Sequence, residues 1–496
     1  MPPLQPRNGA PRLQLRPGLP RTETLNRYDA VILLLPLKAR LPTLPDAPRW
    51  QGLHRRGAPK HGSVRVTTLG NARQTLAVLG YCREDADAFE VLRVSGLLAQ
   101  RSLQERPRPR RIALIAQTSR DRATWQEALY AALAAHCFRM PSAKRDPEDA
   151  PALTIDMYGA SNLDVRRATV TAEASNLVRH LTALPPNLLD ATAYRRLLGT
   201  LARRHGLKLR WYGEAALEKL GAGAFLAVCR GNARRDAGIA HLSYRPARRA
   251  GRNPDIALVG KGILFDTGGT NLKAHRSMLD MHTDMSGSAV ALATLLGLAR
   301  LKAPMAVDAW LAISENSIGP AAYRPQEVVR ALNGSTIQVI HSDAEGRMVL
   351  ADTLALAARS KPRLMLDFAT LTGACVYALT ERMSGLLSNN DALADAALAA
   401  GTRSGERLWR FPMPDDYDTD IESQVADIAQ CSLEGKGDHI LATRFLQRFV
   451  PQDLPWAHVD LSSSTRRGGL AHVPTEITGF GARFALALLL DGKLPS

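Results

Sequence analysis

The sequence is short of lysine, cysteine and aromatic residues, and it has no long hydrophobic run. Of its 64 basic residues 11 are lysines, cysteine occurs five times in 496 positions, and aromatics make up 5%. Cys82, Cys137, Cys229, Cys375 and Cys431 are odd in number and contain no CxxC pair. That excludes a disulfide framework or a zinc ribbon, and points to a reducing, cytoplasmic compartment. No stretch of 18 apolar residues exists, and runs such as 31–36 and 484–490 are too short to cross a bilayer, so no membrane partner is expected.

What is present supports a folded chain. Hydrophobic residues make up 45%, enough for buried cores. The net charge of +17 has two readings, a nucleic-acid partner or a solvated arginine-rich surface. With no RNP, zinc-finger or basic-helix motif, the solvated surface is preferred. Because lysine is scarce, a lysine inside a dense motif carries weight.

Along the chain, residues 1–27 hold six prolines and five arginines with one acid, and are expected to form a disordered basic tail. Residues 28–161 read as an N-terminal α/β domain, with strands at 29–35, 74–81, 111–117 and 152–158 and helices at 87–103 and 123–137. Residues 162–184 read as a connecting helix, stopped by Pro185 and Pro186. Residues 185–496 read as a larger α/β domain, with a helix capped by Asp190. Its expected strands lie at 207–211, 225–228, 239–243, 256–259, 307–313, 336–340, 363–368 and 456–461. Helices are expected at 286–301, 348–357 and 482–490. Strands alternating with helices predict two α/β domains, the larger built on a mixed, mainly parallel sheet flanked by helices.

Chemistry concentrates in two stretches, 258–289 and 341–352, each following an expected strand. In open α/β sheets ligands bind at that end of the strands. Gly260-Lys261-Gly262 imitates a dinucleotide fingerprint, but Phe265 stands where the third glycine belongs. Walker A, HExxH and GxSxG motifs are absent. What remains is a crowd of carboxylates among glycines: Asp266, Asp284, Asp343 and Glu345. Asp343 and Glu345, two apart, face the same way if extended, and Asp284 directly precedes an expected helix. Four converging carboxylates cannot all ionise without cations, and a pair of hard divalent ions answers that need. Lys261, Lys273 and Arg347 fall in the same windows, placed to polarise a carbonyl or hold an anion. Asp280 is offset from the pattern and reads as a solvated or capping residue, His275 and His282 read as loop groups, and Cys375 as a buried thiol. At roughly 5–8% usage per residue, the run Asp343-Ala344-Glu345-Gly346-Arg347 has a chance of ~10⁻⁶ per position.

These blocks closely resemble the cytosolic leucyl aminopeptidase family of dinuclear metallopeptidases. The resemblance rests on Gly260–Gly269, His341–Met348, Asp367–Ala374, Ala321–Pro325 and Trp456–Asp460, and covers about residues 165–496. It implies that Asp266 and Glu345 bridge two divalent metal ions (Mn²⁺ or Zn²⁺), that Asp343 completes one site, and that Lys261 and Asp284 complete the other. It implies that Lys273 hydrogen-bonds the scissile carbonyl and that Arg347 holds a bicarbonate ion acting as general base. Thr370, Leu371 and Gly373 match positions that bind the substrate backbone or line its first pocket, and Met281 matches a pocket wall. Peptides with a free N-terminus are the implied substrates and a homohexamer the implied assembly. The departures are Thr267, Ser286, His341, Ser342 and Met348, none at a matched ligand position.

Overall fold

A computed structural model describes residues 3–6, 9–145, 152–159, 162–247 and 253–495. Two large sheets organise it. The first holds β1 (Arg12–Arg16), β2 (Ala30–Pro36), β3 (Val64–Thr68), β4 (Leu76–Cys82), β5 (Arg111–Ala116) and β6 (Thr154–Tyr158). Their order is β1-β6-β5-β2-β4-β3, and β3 alone runs antiparallel. Helices Ala88–Glu105 and Arg122–His136 pack in the core on one face, with Ala30, Ile32 and Leu34, and helix Ala47–His54 in the core on the other, with Val31, Leu33 and Leu35. With both faces covered, β2 and β4 are apolar almost throughout instead of alternating.

The second sheet draws on β7 (Lys208–Gly213), β8 (Gly238–Tyr244), β9 (Ile256–Asp266) and β10 (Val307–Asn316). Two short strands follow, β11 (Val328–Arg330) and β12 (Thr336–Gln338). The second sheet resumes with β13 (Leu364–Ala369), β14 (Ser384–Ser388), β15 (Leu408–Arg410) and, after the two-residue β16 (Ile428–Ala429), β17 (Trp456–Asp460). Its order is β15-β14-β17-β13-β9-β10-β8-β7, while β11, β12 and β16 form a small third sheet. The sheet is mixed, parallel at its centre and antiparallel towards β7. Separate apolar cores cover its two faces. Among the described residues no helix is long and apolar enough to cross a membrane.

Two sequence expectations need correction. Residues 12–16 are no disordered tail: they form β1, paired in parallel with β6. Pro11 and Pro17 bracket that strand rather than interrupt it, Leu13 packs inward, and the Arg16 guanidinium donates to the buried carboxylate of Asp156 at 2.9 Å. Residues 225–228, expected as a strand, lie in the helix Gly223–Cys229. A short apolar run cannot announce its own period. Here Asp352 decides, accepting the Phe225 amide at 2.8 Å in the first turn.

Helix Val165–Thr182 ties the two sheets together through a fully buried arginine. Arg179 donates to the Ala135 carbonyl (3.1 Å), to Asn176 (2.6 Å) and to Thr475 (2.9 Å). Burial pulls its pKa down to about 9.

The contact that most directly positions the carboxyl-terminal half of β9 is with helix Ser286–Leu301. A side-chain carbon on Gly260 would lie 2.5 Å from the Gly287 carbonyl oxygen, and one on Gly287 would overlap the Phe368 carbonyl. The helix therefore rests on the backbone of two strands with no side chain between. Gly287→Ala should cost ~3 kcal/mol or more by overpacking. The thermal midpoint should fall, and turnover should fall with it as β9 is displaced. Wild-type stability in this variant would contradict the contact.

Candidate metal centre

Lys261 lies in the middle of β9 and Asp266 at its end. Five residues apart, they should face opposite sides of a regular strand. The register shows why they do not. Ile263 pairs with Ser314, but Asp266 pairs with Asn316, so β9 carries one extra residue there. That bulge reverses the alternation, and both side chains reach one cavity.

Asp284 arrives from the turn before helix Ser286–Leu301, and Asp343 from the turn before helix Glu345–Ala358, which Glu345 opens. The convergence of Asp343 and Glu345 thus differs in origin from the extended-strand expectation. A turn followed by a first helical residue brings them together. Gly346 is needed for the fit, because a side-chain carbon there would come within 2.6 Å of Lys261 Nζ.

One oxygen each of Asp266, Asp343 and Glu345 lies within 4.8 Å of the others. Lys261 Nζ meets Asp284 Oδ2 and Glu345 Oε1, both at 2.8 Å, and donates to the Thr370 carbonyl at 3.0 Å. Lys273 Nζ meets Asp266 Oδ2 at 2.9 Å and Asp343 Oδ1 at 2.5 Å. Burial disfavours the ammonium forms, yet the carboxylates outweigh it and hold both lysine pKa values up. Burial, reinforced by the neighbouring carboxylates, raises the pKa of Asp284, Asp343 and Glu345. Four acids against two lysines leave a deficit of positive charge. The donors are hard oxygens with one amine, which suits a divalent cation.

All eleven residues singled out from the sequence line this one cavity of about 430 Å³: Lys261, Asp266, Lys273, Met281, Asp284, Asp343, Glu345, Arg347, Thr370, Leu371 and Gly373. Of the residues set aside, Asp280 and His275 are exposed, but His275 opens the short helix His275–Met278 and His282 lies half-buried in the turn Met281–Thr283, so neither is a loop group; Cys375 is buried, its thiol pushed up to about 12 by burial.

Other residues complete the site and escaped the sequence reading. Asn316 donates to Asp266 Oδ1 at 2.8 Å. Asp460 accepts the Leu371 amide at 3.0 Å and the Thr372 hydroxyl at 2.7 Å, fixing the loop that carries Thr370 and Leu371. Arg347 is 2% exposed. One of its terminal nitrogens donates to both oxygens of Asp438, at 2.8 and 2.7 Å, and the other to the Gln430 carbonyl at 3.2 Å. Its Nε is buried without a hydrogen-bond partner among the described residues. Asp460 had a signal, the Trp456–Asp460 block. Asp438 had none, standing 91 positions from Arg347.

The pattern described as "Cytosol aminopeptidase family, catalytic domain" matches residues 176–486. A probable cytosol aminopeptidase of Synechococcus sp. (strain CC9605) is 35% identical over 458 residues, covering 90% of this chain and 91% of that protein. One from Methylorubrum extorquens is 40% identical over 352 residues, covering 70% and 69%. The solved structure of the bottromycin maturation enzyme BotP in complex with Mn superposes with a TM-score of 0.81 at 31% identity, covering 93% of this chain and 98% of that one. With a carboxylate cluster of this chemistry at the end of β9, the chain belongs to the cytosol aminopeptidase family and is a metal-dependent exopeptidase.

Proposed function

We propose that the cavity holds two divalent ions and removes the N-terminal residue from peptides. The observation that carries this reading is the convergence of four carboxylates and two lysines at one strand end. Asp266 and Glu345 would be shared by both ions, Asp343 would complete one site, and Lys261 with Asp284 the other. The ions, Mn²⁺ or Zn²⁺, would supply a water of lowered pKa and a Lewis acid for the scissile carbonyl.

The chain's own groups do the rest. Lys261 must give up a proton from Nζ to serve as a ligand, since Asp284 and Glu345 otherwise hold it as an ammonium. Lys273 keeps its proton and donates it in a hydrogen bond to the carbonyl oxygen as negative charge grows there. Thr370, Leu371 and Gly373 bind the substrate backbone or line the pocket for its first side chain, and Met281 forms a wall of that pocket. Arg347 has one guanidinium edge committed to Asp438, and its unpartnered Nε is the group left to hold a bicarbonate serving as general base. The same reading gives a homohexamer acting in the cytoplasm, and takes residues 162–184 as the connector between the two domains.

Exopeptidase action requires a free α-amine. A dipeptide or aminoacyl amide should be hydrolysed when Mn²⁺, Zn²⁺ or Co²⁺ is returned to metal-free protein, while its N-acetylated form is not. Cleavage that survives chelation, or of the acetylated peptide, would overturn the reading.

Lys273→Met should lower kcat by about 10²–10³-fold, the usual loss for one oxyanion donor. Metal content, read by elemental analysis, should stay at the wild-type level. Loss of metal together with activity would instead make Lys273 part of the ion cage.

A further inference from the structure

The rule that places the catalytic cavity in the second sheet finds another cavity in the first. In the second sheet the chain leaves β9 for β10 on one side and later returns to β13 on the other. The catalytic cavity opens at the carboxyl ends of β9 and β13, where the order reverses. In the first sheet the chain leaves β2 for β4 on one side and then crosses to β5 on the other. The crevice lies between β2 and β5. A cavity of about 650 Å³ occupies that place, lined by Pro36 at the end of β2 and residues 37–40 after it, by 83–85 after β4 and by 117–120 with Arg122 after β5.

Its charge is distinctive. Lys38, Arg40, Arg83, Arg120 and Arg122 line it against two acids, Glu84 and Asp85. Glu84 is occupied by the Ser119 amide (3.0 Å) and hydroxyl (2.5 Å), and Arg83 by Glu90 at 2.5 Å. Lys38, Arg40 and Arg120 are exposed, and of the three Arg120 also faces the Glu84 carboxylate, whose pKa the Ser119 hydrogen bonds lower most and the Arg120 charge helps to lower. Asp87 and Asp121, which cap the two helices starting here, are not among the lining residues. Pro36, Leu37 and Ala39 give the cavity an apolar wall. Its volume falls in the range of roughly 300–1,000 Å³ that suits a small organic ligand.

We propose that this crevice is a second binding site, for a small phosphorylated metabolite of nucleotide size. Lys38, Arg40 and Arg120 would take the phosphates, arginine through its planar fork and lysine as a point charge. The apolar wall would take the organic body. The site lies on a different sheet from the metal centre and is independent of the reaction.

The test is calorimetric titration of the full-length, metal-loaded enzyme with ADP, pyrophosphate and adenosine. ADP and pyrophosphate should each bind once per chain, and adenosine at least about tenfold more weakly. The double variant Lys38→Glu/Arg120→Glu, and separately Arg40→Glu, should weaken ADP by at least about tenfold through loss of charge-assisted bonds. Aminopeptidase turnover and the melting temperature should be unchanged in both. The proposal is overturned if neither ADP nor pyrophosphate binds saturably. It is equally overturned if ADP binds both variants as it binds wild type, because the phosphates then sit elsewhere, as at the catalytic ions.

Discussion

Four carboxylates crowded at the end of β9 set the terms for the rest of the catalytic half. Asp266, Asp284, Asp343 and Glu345 are drawn together by three separate segments of chain, and all but Asp343 are buried. Such a cluster is held open by positive charge or it protonates. Lys261 and Lys273 supply part of that charge, each bridging two acids. The remainder is the demand for divalent ions. Metal affinity and the lysine contacts are thus two answers to one electrostatic problem.

The fold meets this demand with backbone devices. A bulge late in β9 turns Asp266 to the side of Lys261. Bare glycines let helix Ser286–Leu301 settle against β9 and β13, which places Asp284 over Lys261. Buried polar residues then fix the loops: Asp460 holds the backbone at Leu371 and Thr372, and the Ser342 hydroxyl accepts the Asn271 amide at 2.7 Å. Each device restrains a segment that would otherwise be free to let the acids separate.

The sequence made the site more legible than the framework. Dense motifs with rare lysines marked Lys261, Asp266, Lys273, Asp284, Asp343, Glu345 and Arg347, because reactive groups on contiguous loops leave compact traces, while Met281, Thr370, Leu371 and Gly373 came from the family resemblance alone. The means of convergence were less visible. Asp343 and Glu345 meet through a turn and a helix start, and the bulge in β9 exists only in its pairing with β10. Asp438 reaches Arg347 across 91 positions with nothing nearby to announce it. In the framework, β1 was hidden by its flanking prolines, although Arg-Leu-Gln-Leu-Arg has the two-residue period of an edge strand. Helix Gly223–Cys229 was hidden because its apolar run is too short to show a period and takes its shape from Asp352.

The central claim is that the carboxylate cluster is a cage for two ions. Anomalous diffraction from crystals of the Mn²⁺-loaded protein tests it most directly. The account predicts two peaks per chain, both touching Asp266 and Glu345, with Asp343 on one and Lys261 with Asp284 on the other. A single peak, or peaks away from Asp266 and Glu345, would contradict it.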